Sequence, residues 1–289
     1  MWKLSMQTLP GSVIKLAVIL RSIMFLTVEP IDYVSRLING ENELPPLYLR
    51  RWVGPLVSFR TSAAEFTAYL KLICHLLPNE RILDIGCGCG SMALSLTEYL
   101  GTQGKYIGVD IHKASIRWCQ RKISRKHPNF IFLHIDVKNR VYNPNGKWPA
   151  EHYIFPFESK SFDVILLKSV FTHMRPEEVN NYLKEIGRLL SDEGRCLATF
   201  FLLNQEQEKL SKEGASKLNF SFGDETWRYI YKNRPESGVA YREDYVLECL
   251  SKNGLVLGEP IKYGTWSGRR DGISYQDMLL IRKLNLPYK

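Results

Sequence analysis

Short apolar runs that alternate with helical stretches point to a doubly wound, mostly parallel, seven-stranded α/β sheet. Runs suited to buried strands stand at Arg81–Ile85, Lys105–Val109, Phe130–Ile135, Phe162–Leu167 and Arg195–Phe201. Helical stretches at Ser91–Leu100, Lys113–Arg125 and Pro176–Leu190 separate most of them, and strands that take turns with helices pair in parallel through right-handed crossovers. Immediately after the first run, 86–90 reads GCGCG, a turn whose glycines let the backbone bend sharply at the carboxyl edge of such a sheet. The last two runs, Leu255–Tyr263 and Ile273–Arg282, are expected to form an antiparallel hairpin at the sheet edge.

The remaining segments are placed around this frame. Ser62–Leu77 carries apolar residues at helical spacing and is stopped by Pro78, and a further helix is expected over Tyr241–Ser251. Residues 1–60 form a separate N-terminal part. Gly11–Val28 is strongly apolar, but Lys15 and Arg21 interrupt it, and a spanning helix needs about 20 largely uncharged residues. No small-x-small cleavage site follows before Glu29-Pro30, as a secretory signal would require. A helix packed on its own domain and a helix lying at a membrane surface both remain open for 11–28. Pro30, Pro45, Pro46 and Pro55 then punctuate an irregular arm. Residues 61–289 form the main domain, in which polar, aromatic-rich 204–240 interrupts the core and is expected to act as a lid.

Composition excludes several classes. With 45% hydrophobic and 24% charged residues, the 289-residue chain buries a sizeable core and is not disordered. Its 39 basic and 30 acidic residues leave a net charge of +9, which would favour nucleic acid or lipid headgroups if gathered on one face. The basic runs are short, at Arg50-Arg51 and Arg269-Arg270, so a mildly basic solvated surface is expected and a nucleic-acid partner is not. Six cysteines, none in a CxxC pair, give neither zinc spacing nor a disulfide framework; no metal is expected, and a cytoplasmic setting, peripheral to a membrane if 11–28 lies there, fits best. Cys87 and Cys89, inside the glycine turn, read as small apolar fillers.

A glycine turn of this kind serves two cofactor classes. A dinucleotide fingerprint reads G-x-G-x-x-G, whereas Gly86, Gly88 and Gly90 are followed by Ser91 where the third glycine would stand. Asp84, two residues before the turn, would oppose a pyrophosphate and suit a cation. Asp110 closes the second run, where a carboxylate accepts both ribose hydroxyls in either class.

"RILDIGCGCGSMALSL", "YIGVDIHKASIRWC", "FIFLHIDVKN" and "FDVILLKSVFTHM" follow one another in order. This succession closely resembles the motifs of the class I S-adenosylmethionine-dependent methyltransferases, over roughly Glu65 to Phe201. Beyond the core, "ELPPLYLRRWVGP" and "GTWSGRRDGISYQDMLLIRK" resemble a subgroup acting on small molecules or glycans in bacteria. The resemblance implies the Rossmann-like methyltransferase fold, S-adenosylmethionine as cofactor and methyl transfer to oxygen of a small molecule or glycan. It also implies residue roles: Gly86, Gly88 and Gly90 under the methionine part, Asp84 near its ammonium, Asp110 on the ribose and Ile111 against the adenine. Asp136 would meet the adenine amino group, Val137 would offer a backbone N–H, and Lys168 and Ser169 would edge the methyl-transfer site. An oxygen acceptor loses a proton, for which His173 is the preferred base; its alternative is a helix-start histidine packed beneath the site. Trp52, Trp227, Trp266 and Arg269 are expected to shape the acceptor pocket, since aromatics beside arginines suit sugars, phosphates or carboxylates. An NAD-dependent oxidoreductase, a non-catalytic cofactor-binding scaffold and an RNA methyltransferase are the rivals. "LKSV" stands where many amino-group nucleic-acid methylases carry N/D-P-P-Y.

Overall fold

The computed structural model describes Phe25 and residues 27–51 and 59–284. The apolar segment 11–28 therefore lies almost wholly outside the described residues, as does Trp52. Among the described residues no helix is long and apolar enough to cross a membrane.

Strands β1 (Arg81–Ile85), β2 (Lys105–Asp110), β3 (Phe130–His134), β4 (Phe162–Leu167) and β5 (Leu190–Phe200) pair in parallel, in the order β3-β2-β1-β4-β5. Alternate residues of a strand face opposite sides, and the core divides accordingly. Leu83, Ile85, Ile107, Val109, Ile165 and Leu167 share one cluster with helix α6 (Pro176–Leu189) and helix α7 (Glu243–Lys252). Ile82, Tyr106, Val164, Leu166 and Leu197 meet helices α3 (Phe59–Leu72), α4 (Ser91–Leu96) and α5 (Lys113–Cys119) on the other. Each buried large aliphatic side chain of these layers contributes about 1.5–3 kcal/mol relative to exposure.

The two final strands form the expected antiparallel hairpin at the sheet edge, with arms shorter than the apolar runs. β10 (Leu255–Leu257) ends before Gly258 and Pro260, because proline has no N–H to give to a ladder. β11 (Asp277–Lys283) lies between β10 and β5 and runs antiparallel to both, so the second arm is inside the sheet and only β10 is at the edge.

The segment expected as an insertion over 204–240 builds a sheet of its own. β6 (Leu202–Leu203), β7 (Phe222–Gly223), β8 (Trp227–Tyr229) and β9 (Val239–Arg242) pair in the order β6-β9-β8-β7. Its ends lie at 202 and 242, and beneath it Phe201, Leu203, Phe220, Ala240 and Trp266 form a third cluster. The described part of the N-terminal arm holds two helices joined by an irregular link at 39–46. Residues 27–38 are helix α1, and α2 (Leu47–Arg50) docks on it. Arg36 and Arg50 both reach Asp32, and Glu29 accepts the Leu47 and Tyr48 N–H groups. Two guanidiniums on one carboxylate hold this corner in a single arrangement.

Candidate active site

The glycine turn bends as the sequence requires. Gly86, Gly88 and Gly90 sit at φ of 79°, 55° and 79°, in the left-handed region that a Cβ disfavours. The Gly86 and Cys87 N–H groups both donate to the Val109 carbonyl, at 2.8 and 3.1 Å, which draws the turn across the end of β2. A Cβ on Gly86 would come within 2.5 Å of Val170 Cγ2, so this glycine admits the loop after β4. Cys87 and Cys89 are buried in the packing, as expected of small fillers.

Two carboxylates flank the turn. Asp84 is 2% exposed and accepts a hydrogen bond from the Tyr106 hydroxyl on β2. Burial pushes its carboxyl up to about 7, against the Tyr106 hydrogen bond and the Lys168 charge, which hold it down. Asp110 Oδ2 accepts the Gly88 N–H at 2.7 Å and its Oδ1 the His112 N–H at 2.6 Å. Burial raises it too, opposed by these two backbone bonds. Both carboxylates line one cavity of about 930 Å³.

That cavity collects most of the expected site. Gly86, Gly88, Ile111, Val137, Lys168, Ser169 and His173 are among its walls. The Lys168 ammonium donates to Ser62 Oγ at 2.6 Å and lies 4.4 Å from the Phe66 ring centroid. Burial drives it down to about 8, opposed by Asp84 and Glu65. Ser169 takes a φ of 58°, rare for a residue with a Cβ. Its N–H donates to Thr199 Oγ1 at 2.8 Å, and both hydroxyls donate to Gln276 Oε1, Ser169 at 2.9 Å and Thr199 at 2.7 Å. With both hydroxyls donating to Oε1, the amide nitrogen of Gln276 is left for other partners.

His173 stands on a 3₁₀ turn after β4, with Nδ1 2.8 Å from the Glu236 carbonyl oxygen. A carbonyl only accepts, so Nδ1 carries the proton and Nε2 keeps its lone pair. Nε2 lies 3.4 Å from the Tyr142 hydroxyl, longer than a good hydrogen bond. Burial lowers the imidazole below its ordinary value, opposed by the Glu236 carbonyl, so the ring is neutral near pH 7.

Five expected residues are placed elsewhere. Gly90 is buried beside the cavity wall as the residue preceding α4, where a Cβ would lie 2.6 Å from Ile123 Cδ1. Asp136 is exposed, with Oδ1 accepting from Asn143 Nδ2 at 3.1 Å, and it does not reach the cavity. Trp266 is fully buried: its indole N–H donates to Asp277 Oδ2 at 2.8 Å, and the same carboxylate accepts the Leu202 and Gly264 N–H groups. A tryptophan so enclosed is core between the two sheets, not an acceptor wall. Trp227 is half-buried on β8 and packs on the main core. Arg269 stacks 4.1 Å from the Tyr263 ring centroid and donates to Asn204 Oδ1 at 3.1 Å, outside the cavity lining. Tyr142, Thr172, Glu178, Ser237 and Gln276 line the cavity without having been singled out from the sequence. Each sits on an irregular connection or a helix start, where no periodicity marks an inward side chain; a hydroxyl next to His173 was the one signal on offer.

Small-molecule pockets run from about 300 to 1,000 Å³, so this one accommodates a nucleoside cofactor with an acceptor beside it. The left-handed turn, the buried Asp84 for a cation and Asp110 beside Ile111 for a nucleoside fit S-adenosylmethionine. Among the described residues no group of side chains could hold a metal ion.

The profile of the methyltransferase-domain family matches residues 82–194. Over 144 residues, 50% of this chain and 46% of the other, the sequence is 31% identical to phthiotriol/phenolphthiotriol dimycocerosates methyltransferase 1 of Mycobacterium ulcerans (strain Agy99). The match thus spans about half the length of that relative. The crystal structure of PH0226 protein from Pyrococcus horikoshii OT3 superposes with a TM-score of 0.52 at 19% identity, covering 78% of this chain and 90% of that one. A SAM-dependent methyltransferase from Methanosarcina mazei superposes at 0.50 with 20% identity, covering 74% and 98%. These likenesses show a shared fold, and the strand order, the glycine turn and the matched segment agree with it. Residues 82–194 thus carry a domain of the methyltransferase family, and the site built on it fits S-adenosylmethionine as cofactor.

Proposed function

We propose that this chain transfers a methyl group to a hydroxyl oxygen of a small molecule or lipid-linked glycan. The observation that carries the reading is His173: its proton is committed to the Glu236 carbonyl, which leaves Nε2 as a base beside the cavity. Bound in the cavity, S-adenosylmethionine supplies a methyl carbon on a sulfonium, open to in-line attack. The protein's own work is alignment, exclusion of water and removal of one proton. His173 Nε2 takes the proton that the acceptor hydroxyl loses, and the positive charge of the donor ends on the imidazole. Asp84 and Asp110 hold the two ends of the cofactor, and Gln276, fixed by Ser169 and Thr199, offers its amide N–H groups to the acceptor. Residues 204–240 supply the outer wall as a lid. The name of the Mycobacterium ulcerans relative, a methyltransferase of phthiotriol lipids, supports a hydroxyl acceptor with an apolar body.

Transfer of labelled methyl from S-adenosylmethionine to a panel of phenols, sugars and lipid alcohols tests this reading, with His173→Gln alongside. Labelled ether product that falls with the variant supports it. Methylation at nitrogen or carbon, or no turnover with tight cofactor binding, speaks for another acceptor or for a scaffold. NADH binding in fluorescence titration would revive the oxidoreductase.

A further inference from the structure

Among the described residues, two side-chain oxygens on the cavity wall have no hydrogen-bond partner: Thr172 Oγ1 and Ser237 Oγ. Thr172 is 1% exposed. A buried hydroxyl left without a partner costs stability, so a pair of them in the lining of one cavity calls for a ligand. They sit on two neighbouring 3₁₀ turns, Phe171–His173 and Pro235–Ser237. The turns are joined at that point, because His173 Nδ1 donates to Glu236 O at 2.8 Å and the Arg175 guanidinium lies 3.3 Å from the Glu236 carboxylate. Thr172 is therefore adjacent to the imidazole in sequence, and Ser237 is adjacent to the residue that orients it.

We propose that Thr172 and Ser237 form a subsite for a neutral hydroxyl of the acceptor, held beside His173 Nε2. The assignment rests on the methyl-transfer reading and names the chemistry it recognises. A hydroxyl both donates and accepts, so it gives its hydrogen to Nε2, which only accepts here, and receives one from Thr172 or Ser237. A carboxylate or phosphate has no hydrogen for Nε2 and would face its lone pair. Neither turn contributes a lysine or arginine; the cations of the cavity lining, Arg51, Lys138, Lys168 and Lys217, belong to other segments. The subsite thus selects alcohols and phenols against anions.

The full-length chain, saturated with S-adenosylhomocysteine, is titrated with catechol, cis-1,2-cyclohexanediol and benzoate by ligand-detected NMR. At least one diol is expected to bind the wild type about tenfold more tightly than benzoate, and the Thr172→Val/Ser237→Ala variant to lose about tenfold of that affinity. Catechol favoured over the cyclohexanediol identifies a phenolic acceptor, the reverse an alcohol. Melting without ligand is expected to be unchanged or raised in the variant. A fall of more than about 3 °C would mean that the hydroxyls are bonded within the fold, and overturns the proposal. So does preference for benzoate, binding of none of the three, equal diol binding by the variant, or loss of S-adenosylhomocysteine affinity with diol binding unchanged. Failure of the wild type to bind S-adenosylhomocysteine overturns the methyl-transfer reading itself, and this assignment with it.

Discussion

Tyr106 on β2 donates its hydroxyl to the carboxylate of Asp84 on the adjacent β1, inside the sheet and below the glycine turn. The bond favours the ionised acid, while burial pushes the carboxyl up to about 7. An ammonium is met only by the ionised form, so affinity for S-adenosylhomocysteine rises with pH through about 7. Tyr106→Phe removes the bond, moves the midpoint upward and weakens binding at pH 7 by about tenfold. Calorimetric titrations at pH 6, 7 and 8 check both; a midpoint that stays in place means that Asp84 does not meet the ammonium.

The same acid sets a stability cost. Its folded-state value lies above the ordinary 3.8, so its contribution is fully present below about pH 4 and is lost as pH rises toward 7. Asp84→Asn is therefore expected to raise the melting temperature of the ligand-free protein at pH 8 while abolishing cofactor binding. A variant less stable at pH 8 would contradict the ionised acid being strained there.

His173→Gln keeps a polar side chain on the Glu236 carbonyl but has no basic nitrogen for the acceptor. Turnover on a hydroxyl acceptor should fall by about 10²–10⁴, with cofactor affinity within about threefold because the chain places it off the cofactor's anchors. Since burial lowers the imidazole below its ordinary 6.5, the wild-type rate should hold its plateau at about pH 7 and above and fall only on the acid side of the ordinary value. A rate that declines already from pH 8 would assign the proton transfer to another group.

At Gly90 a Cβ would lie 2.6 Å from Ile123 Cδ1 and 3.0 Å from Cys119 Sγ, on a backbone of φ 79°. Gly90→Ala should destabilise by about 1–3 kcal/mol through the left-handed backbone and the contact together. Urea unfolding measures it, and a neutral result would show that α5 yields.

Trp266→Ala should cost about 3–5 kcal/mol, because the indole fills the space between two sheets and its N–H caps the Asp277 carboxylate. Urea unfolding should show this loss with the cofactor affinity of the folded fraction unchanged. A stable variant with lost acceptor binding would return Trp266 to the role expected from its sequence neighbours, Arg269 and Arg270.

The sequence alone determined the elements that a local rule governs. Short, near-continuous apolar runs mark β1 to β5, because both faces of a parallel sheet are covered, and the glycines of 86–90 mark a bend that other residues resist. Asp84 and Asp110 were legible for the same reason, since each ends a strand at a fixed distance from that bend. Tertiary structure decided what depends on partners distant in the chain. β11 inserts beside β5 through pairing that no local pattern encodes, and Trp266 becomes core only because Asp277, Leu202 and Gly264 meet around it. Asp136 follows its strand in the expected place, yet its side chain turns to Asn143. Thr172, Ser237, Tyr142 and Gln276 lie on connections, where direction is set by packing rather than by period, and so the acceptor end of the cavity emerged only once the chain had folded.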